Sequence, residues 1–326
     1  MYTPEALVSI TSPPPSSSSS SSSGLKESKL ETTDCNLNSN IASPSLSPSV
    51  TRLWRPAAQR NLRNQFSKLL SYKQQWMSAS SSGRSHATSL VNAYLSQRYM
   101  PAMDLGVISD MPDIRKRACY KLALQQGLNG RKLLSSYKDM VSVVSHMVNT
   151  CSSMRCFNKG PAGSPLVQFS SYSEDKNDSG DGAGIPIFTF WPIPYFENLG
   201  QELLQMFALE LSLKRFLLVE LLSLGCEEVS QQTDGLCWSN ELYPGEFVDL
   251  TINNLYSKET CQPLPPRLKG LEFDDPSTVA VRSKQQPRQE ILQVYLTAWL
   301  AEVNIDIYRV DEIFAMVGEE MHVSFS

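Results

Sequence analysis

The stretch at residues 195–224 reads YFENLGQELLQMFALELSLKRFLLVELLSL, and it decides the fold. We expect one long helix here, because its apolar residues recur at helical spacing and Gly225 follows as a residue that commonly ends helices. A helix that is apolar on nearly every face is normally buried at the centre of a fold. The sequence therefore predicts a mainly α protein built around this helix, whose apolar residues include Leu203, Leu204, Phe207, Leu211, Phe216, Leu217, Leu218 and Leu221.

The same stretch does not predict a membrane span. It is the most apolar stretch of the chain over residues 203–224, but it is interrupted by Gln205, Glu210, Lys214, Arg215 and Glu220. A bilayer penalises charged groups at its centre by several kcal/mol each. We therefore expect no membrane partner.

Four further helices are predicted before this stretch from the spacing of their apolar residues. We expect the first to begin at Pro56 and to end at the run Ser78–Gly83, since serine and glycine disfavour helix interiors. A second, short helix is stopped by Pro101, and a third is closed by Gly127. The fourth covers about residues 131–154.

The flanks of the central helix give weaker signals. The segment Ile185–Trp191 is alternating and aromatic, which predicts a short strand. Residues 226–286 carry turn signals, and two helices are then expected at about 288–303 and 306–317. Together these elements predict an irregular multi-helix bundle with at most one short strand pair.

The first fifty residues differ from the rest in composition. Ser16–Ser23 is a run of eight serines that follows Pro13–Pro15. Such a tract has too little apolar surface to offset the entropy of ordering it. We therefore expect a disordered Ser/Pro-rich tail over residues 1–50, whose Ser-Pro sites are candidates for phosphorylation.

The cellular compartment is inferred from the cysteines and from the start of the chain. Seven cysteines in no paired spacing predict reduced thiols, and no secretory signal is recognised. A plastid transit peptide is the alternative for a Ser-rich start, but Glu5, Glu27, Glu31 and Asp34 are acidic and the first arginine is Arg52. We expect a nuclear or cytoplasmic protein, with a plastid location as the alternative.

The composition divides the chain into four parts. The tail at 1–50 is followed by a basic helical region at 51–157 and by a flexible, acidic Gly/Ser loop at 158–184. A helical core region at 185–326 completes the chain. A loop of more than about twenty residues is unusual inside a compact unit, so the sequence leaves open whether the two helical regions form one domain or two.

No catalytic or metal-binding constellation is found. The only histidines are His86, His146 and His322; none has a partner nucleophile, and we expect all three at the surface. His146, Cys151 and Cys156 recur every five residues, a spacing at which helical side chains diverge rather than converge on a metal. The sequence therefore predicts a protein that is not an enzyme and that binds no cofactor or metal.

One loop resembles a calcium site in part. Its matches to the first positions of an EF-hand loop are Asp175, Asn177, Ser179, Gly180 and Asp181, but Pro186 stands where a bidentate glutamate is needed. Nor do the glycines of this loop form a phosphate cradle, since no Lys-Ser/Thr pair follows them. We interpret the segment as a solvated acidic loop.

A basic, acid-free segment is the most suggestive feature for function. No Asp or Glu occurs between Asp34 and Asp104, although the net charge of the whole chain is −4. A basic helix flanked by Trp54 and Trp76 is able to contact phosphates or an acidic partner, but its apolar stripe favours the simpler interpretation of a surface helix of the fold. The candidate contact residues are Arg52, Arg55, Arg60, Arg63, Lys68 and Lys73.

These observations lead to an expected function that is not catalytic. We expect a helical interaction or regulatory protein that acts as an adaptor in an intracellular, nuclear complex, with protein partners. The alternative is a nucleic-acid-binding protein that uses the basic segment at 52–98. Arg115–Arg117 is a minimal basic run of the kind found in nuclear signals.

Overall fold

Two long antiparallel helices, α1 (Pro48–Tyr99) and α2 (Ile114–Ser152), form the frame of the structure. The structure is a computed structural model that describes residues 48–159, 166–169, 179–225, 236–268 and 288–325. Two contacts show the antiparallel orientation, because a later residue of α1 meets an earlier residue of α2. Tyr72 lies against His146, and Gln126 donates a hydrogen bond to Gln97.

The predicted central helix is present as α3 (Ile193–Leu222), and it packs against both α1 and α2. Seventeen of its residues are buried. Phe207 meets the ring of Trp76 edge-on at 5.3 Å, and Phe196 meets the ring of Phe66 at 6.1 Å. The mainly α fold class is therefore confirmed.

Three shorter helices complete the described part: α4 (Glu246–Ile252), α5 (Gln289–Ala301) and α6 (Ile307–Met321). The two C-terminal helices were predicted within a few residues of their ends. The short α4 was not predicted, because its seven residues are too few to show a helical period. It is held by tertiary contacts, since Glu246 at its start is completely buried.

The described strands form two short antiparallel pairs, one more than expected. In the first, β1 (Cys156–Lys159) pairs with β2 (Leu166–Phe169), with Cys156 opposite Phe169. In the second, β3 (Tyr256–Ser257) pairs with β4 (Gln262–Pro263). Each pair is local along the chain, so neither changes the helical character of the fold.

The predicted strand at Ile185–Trp191 is wrong, because this segment folds as a series of bends. The backbone N–H groups of Thr189, Phe190 and Trp191 all donate to Oε1 of Glu320 on α6, at 2.7–2.9 Å. Three successive donors that converge on one oxygen are incompatible with a strand ladder. The buried carboxylate of Glu320 therefore determines this conformation.

The predicted helix end at Ser78–Gly83 is also wrong, since α1 continues through this run. Ser80 is buried, and its carbonyl accepts a hydrogen bond from Nε1 of Trp299 at 3.1 Å. Gly83 leaves the space that the indole of Trp299 occupies. Packing against α5 thus outweighs the low helix propensity of these residues.

Gly127 likewise does not end a helix, because α2 is continuous across the predicted break. Gln126 is buried and donates a hydrogen bond to Gln97 of α1, while Gly130 lies against Leu222 of α3. Contacts on both sides of Gly127 therefore hold the backbone helical. The predicted third and fourth helices are one helix.

Two other predictions fall mainly on residues outside the described ranges. The predicted tail at 1–50 lies outside them except for its last three residues, which begin α1. The acidic loop at 158–184 is described only at 158–159, 166–169 and 179–184. The partial EF-hand match starts at Asp175, so its first half also lies outside the described residues.

Candidate interaction surface

The basic segment of α1 does not form one continuous patch in the structure. Arg55 donates to the carbonyls of Ile187 and Phe188, at 2.9 and 2.6 Å. Arg63 donates to the carbonyl of Met321 and lies over the ring of Phe188. These two predicted contact residues therefore stabilise the fold by satisfying carbonyl groups.

A third member of the segment is also engaged within the chain. Lys73 pairs with Asp311 of α6 at 2.5 Å and lies 5.9 Å from the centre of the Phe314 ring. Arg52 begins the segment, and its side chain lies outside the described residues. The structure therefore leaves Arg60 and Lys68 as the exposed members of the predicted set.

Arg60 and Lys68 line an open groove of about 570 Å³ on the outer side of α1. Asn64 and Ser67 lie between them on the same helix, and Ser153 closes the groove from the end of α2. Neither Arg60 nor Lys68 makes a hydrogen bond or ion pair with the described residues. Of the five predicted contact residues whose side chains are described, these two remain exposed.

A different basic surface lies on α2, where sequence reasoning did not look for a contact site. The first buried residue of α2 is Gln126, so its opening turns project beyond the core. Tyr120, Leu124 and Leu128 are exposed there by 66%, 57% and 45%. Because a helix advances about 100° per residue, these three side chains fall within about 40° of Leu124 on one face.

Basic residues flank this apolar stripe and extend it at both ends. By the same rotation of about 100° per residue, Arg117 and Arg131 lie within about 20° of Leu124 around the helix axis. Lys121 lies about 60° from Leu124. No Asp or Glu occurs in α2 before Asp139. We name this region the α2 tip surface and define it by Arg117, Tyr120, Lys121, Leu124, Leu128 and Arg131.

The spacing of these residues in the sequence indicates the surface, but the predicted helix end at Gly127 separated them. When residues 114–126 and 131–154 are taken as separate helices, the stripe is divided between them. In the continuous helix, Arg117, Tyr120, Leu124, Leu128 and Arg131 recur at intervals of three and four residues. That spacing places them in one seam.

The histidines occupy three separate places. His146 is exposed as predicted, with its ring 5.5 Å from that of Tyr72. His322 is also exposed and lies 3.3 Å from Oγ1 of Thr189. His86 is half-buried within α1, which differs from the predicted exposed position. No group of three or more His, Cys, Asp or Glu side chains suited to a metal ion occurs among the described residues.

None of the five described cysteines forms a disulfide with another described residue. Burial raises the pKa of Cys156 to about 12, and the Asn61 amide that points at its Sγ opposes this shift. Burial also raises the pKa of Cys151 to about 12, to which the charge of Glu197 adds. These two thiols are protonated at neutral pH, so neither is an activated nucleophile.

Several charged groups lie in the core, but they pair with one another. Arg215 of α3 donates from Nε to Glu246 Oε1 at 2.8 Å, and Tyr137 donates to the same oxygen at 2.9 Å. Burial raises the pKa of Tyr137, and the Glu246 charge raises it further. Burial lowers the pKa of Lys214, while Glu210 at 3.1 Å opposes the shift. Glu246 therefore joins α4 to α2 and α3, whereas Glu210 and Lys214 belong to the same helix.

The glycine-rich turn at 179–184, of which Gly180 and Gly182 are buried, also has a packing role. Gly182 has a φ of +71° and lies against the indole of Trp54 so closely that a Cβ would overlap the ring. Trp54 in turn donates from Nε1 to the carbonyl of Cys156 at 2.8 Å. The turn therefore covers the start of α1.

Comparison with known proteins adds no assignment to these observations. No protein-family model matches the chain, and none of the curated proteins is significantly similar to it. Within the described part of the chain, no helix has both the length and the apolar character needed to cross a membrane. Inference about function therefore starts from the α2 tip surface.

Proposed function

We propose that this chain is a non-catalytic interaction protein, an adaptor that binds a partner protein through the α2 tip surface. The observation that carries the proposal is the exposure of Tyr120, Leu124 and Leu128 in one stripe. Single exposed apolar residues are normal on any protein, but a contiguous stripe between basic residues is typical of an interaction site.

The rest of the structure is consistent with a scaffold for such a surface. The α1–α2 pair packs against α3, which extends along α2 from Cys151 beside Gly200 to Gly130 beside Leu222 and buries seventeen residues. A rigid base of this kind presents the opening turns of α2 at a fixed position. A preformed surface binds with a smaller loss of entropy than a surface that orders on contact.

Site-specific photocrosslinking tests this proposal. A photoreactive phenylalanine analogue is placed at Tyr120 in the full chain, which is then exposed to an extract of the cells that express it. The matched control carries the analogue at Tyr308 on α6, which is 85% exposed. We expect a partner protein that crosslinks at Tyr120, does not crosslink at Tyr308, and is lost when Leu124→Asp is added. Equal crosslinking at both positions contradicts the proposal.

Nucleic-acid binding is the second candidate function, and the exposed pair Arg60 and Lys68 favours it. Phosphate contacts make binding weaken steeply with salt and tolerate changes of base sequence. We expect Arg60→Glu with Lys68→Glu to abolish such binding in a low-salt filter assay. Absence of any DNA or RNA affinity in the unchanged chain rules this function out.

A nuclear location completes the proposal. Its support is the exposed basic run Arg115–Arg117 at the start of α2. Imaging of a fluorescent fusion checks it: we expect a nuclear signal that shifts to the cytoplasm when all three residues are replaced by alanine. An unchanged distribution contradicts the role of this run.

A further inference from the structure

We infer that the partner of the α2 tip surface is an acidic amphipathic α-helix, which lies along α2 and pairs with it side by side. This inference rests on the proposed function and specifies the partner class. It follows from three properties of the surface: the spacing of its apolar residues, the sign of its charges, and the kind of backbone that it presents.

The spacing favours a helical partner. The seam from Arg117 through Tyr120, Leu124 and Leu128 to Arg131 uses intervals of three and four residues over about four turns. Two helices pack along such a seam when each places its apolar residues at the same intervals. An extended peptide repeats every two residues, so it does not match a stripe of this period.

The charges favour an acidic partner. On helix pairs, residues beside the apolar seam meet residues of the other helix, where opposite charges attract and like charges repel. Lys121 lies beside the seam, and Arg117 and Arg131 lie at its ends. Since α2 carries no acid before Asp139, a basic partner helix meets only repulsion there.

The backbone excludes strand addition at this place. The surface lies wholly on α2, whose N–H and C=O groups are bonded within the helix. Strand addition needs a row of free backbone groups at a sheet edge. Side chains are therefore the only groups available for recognition, which is the mode of a helix bound to an apolar stripe.

A synthetic helix of known composition tests the inference directly. The probe is a fluorescently labelled peptide of about 20 residues with leucine at i, i+4, i+7 and i+11 and with glutamate and alanine elsewhere. Its binding to the full chain is measured by fluorescence anisotropy. Two control peptides are matched to it: one has the same composition with leucines on all faces, and one has lysine in place of glutamate.

We expect the acidic amphipathic peptide to bind at least about tenfold more tightly than either control peptide. Leu124→Asp, and separately Arg117→Glu with Lys121→Glu, weaken its binding by at least about tenfold. Two matched control variants, Tyr308→Asp and Arg60→Glu with Lys68→Glu, leave it unchanged. Leu124→Ser is measured beside Leu124→Asp, and thermal unfolding verifies that each variant is folded.

Three results overturn the inference. The first is equal binding of the three peptides. The second is binding of anionic phosphatidylserine vesicles that Leu124→Asp abolishes, which assigns the surface to a membrane. The third is self-association of the chain in sedimentation velocity that Leu124→Asp abolishes, which assigns it to a second copy. If crosslinking at Tyr120 finds a partner while the acidic peptide fails, the partner class is wrong and the proposed function stands.

Discussion

The indole of Trp299 on α5 lies directly against Gly83 of α1. A Cβ added at Gly83 would come within 2.6 Å of the ring carbon Cζ2, a distance that real Cβ atoms do not adopt. Trp299 is 1% exposed and donates to the Ser80 carbonyl, so the ring has no free direction in which to move. This contact joins the C-terminal helices to the middle of α1.

Alanine at Gly83 is therefore expected to destabilise the protein, although alanine has the higher helix propensity. We expect a loss of about 1–3 kcal/mol from overpacking against Trp299. The matched control is Gly127→Ala in α2, where nothing lies within 4 Å of the added Cβ. That change is expected to stabilise by up to about 1 kcal/mol. Urea unfolding of both variants measures the difference, and stabilisation at Gly83 would show that α5 does not pack there.

Removal of Arg215 tests the buried ion pair with Glu246. Arg215→Met leaves a fully buried carboxylate without its cation, and it also removes donors to the carbonyls of Trp238 and Asn240. We expect a loss of about 3–5 kcal/mol. Arg309→Met is the control: its pair with Glu202 is about one-third exposed, and its loss is expected to cost no more than about 1 kcal/mol. Similar costs in calorimetry would contradict the buried position of the first pair.

Leu217 tests the central position of α3. It is 2% exposed, so Leu217→Ala leaves a cavity and is expected to cost about 2–5 kcal/mol. Leu217→Asp is expected to prevent folding, because the carboxylate has no partner there. Leu124→Ala on the α2 tip surface is the contrasting change, with an expected effect within about 0.5 kcal/mol. Circular dichroism during denaturation measures all three, and a folded Leu217→Asp protein would show that α3 is not the core.

The thiol of Cys156 makes the free energy of unfolding depend on pH in the alkaline range. Its pKa is about 12 in the fold and about 9 in the unfolded chain, so above pH 9 the unfolded state loses the proton first. The contribution of Cys156 to stability is therefore complete below pH 9 and falls as the pH rises toward 12, by about 1.2 kcal/mol between pH 9.5 and 10.5.

The measurement compares the free energy of unfolding at these two pH values in three proteins. Cys156→Ala is expected to show a smaller fall with pH than the unchanged chain. Cys261→Ala, at an exposed cysteine, is expected to keep the full fall. Equal falls in all three proteins would mean that Cys156 is reached by solvent.

The sequence by itself determined the helical class and the central helix. The apolar residues of 195–224 surround the helix axis, and no other regular structure buries such a pattern. The last two helices were also predicted from helical spacing, although their apolar residues lie on a broad face rather than around the whole axis. The periodicity of apolar residues is a property of a short stretch of sequence, so it predicts a helix without knowledge of the tertiary structure.

Only the tertiary structure decided where helices continue and which basic residues remain exposed. Gly83 and Gly127 are ordinary helix-ending signals, but Trp299 at the first and Gln97 with Leu222 around the second hold the chain helical. Arg55, Arg63 and Lys73 look like Arg60 and Lys68 in sequence, and they differ because carbonyls and Asp311 from distant segments reach them. Such contacts join residues 29 to 258 positions apart in the chain, and local propensities of about 1 kcal/mol per residue cannot outweigh them.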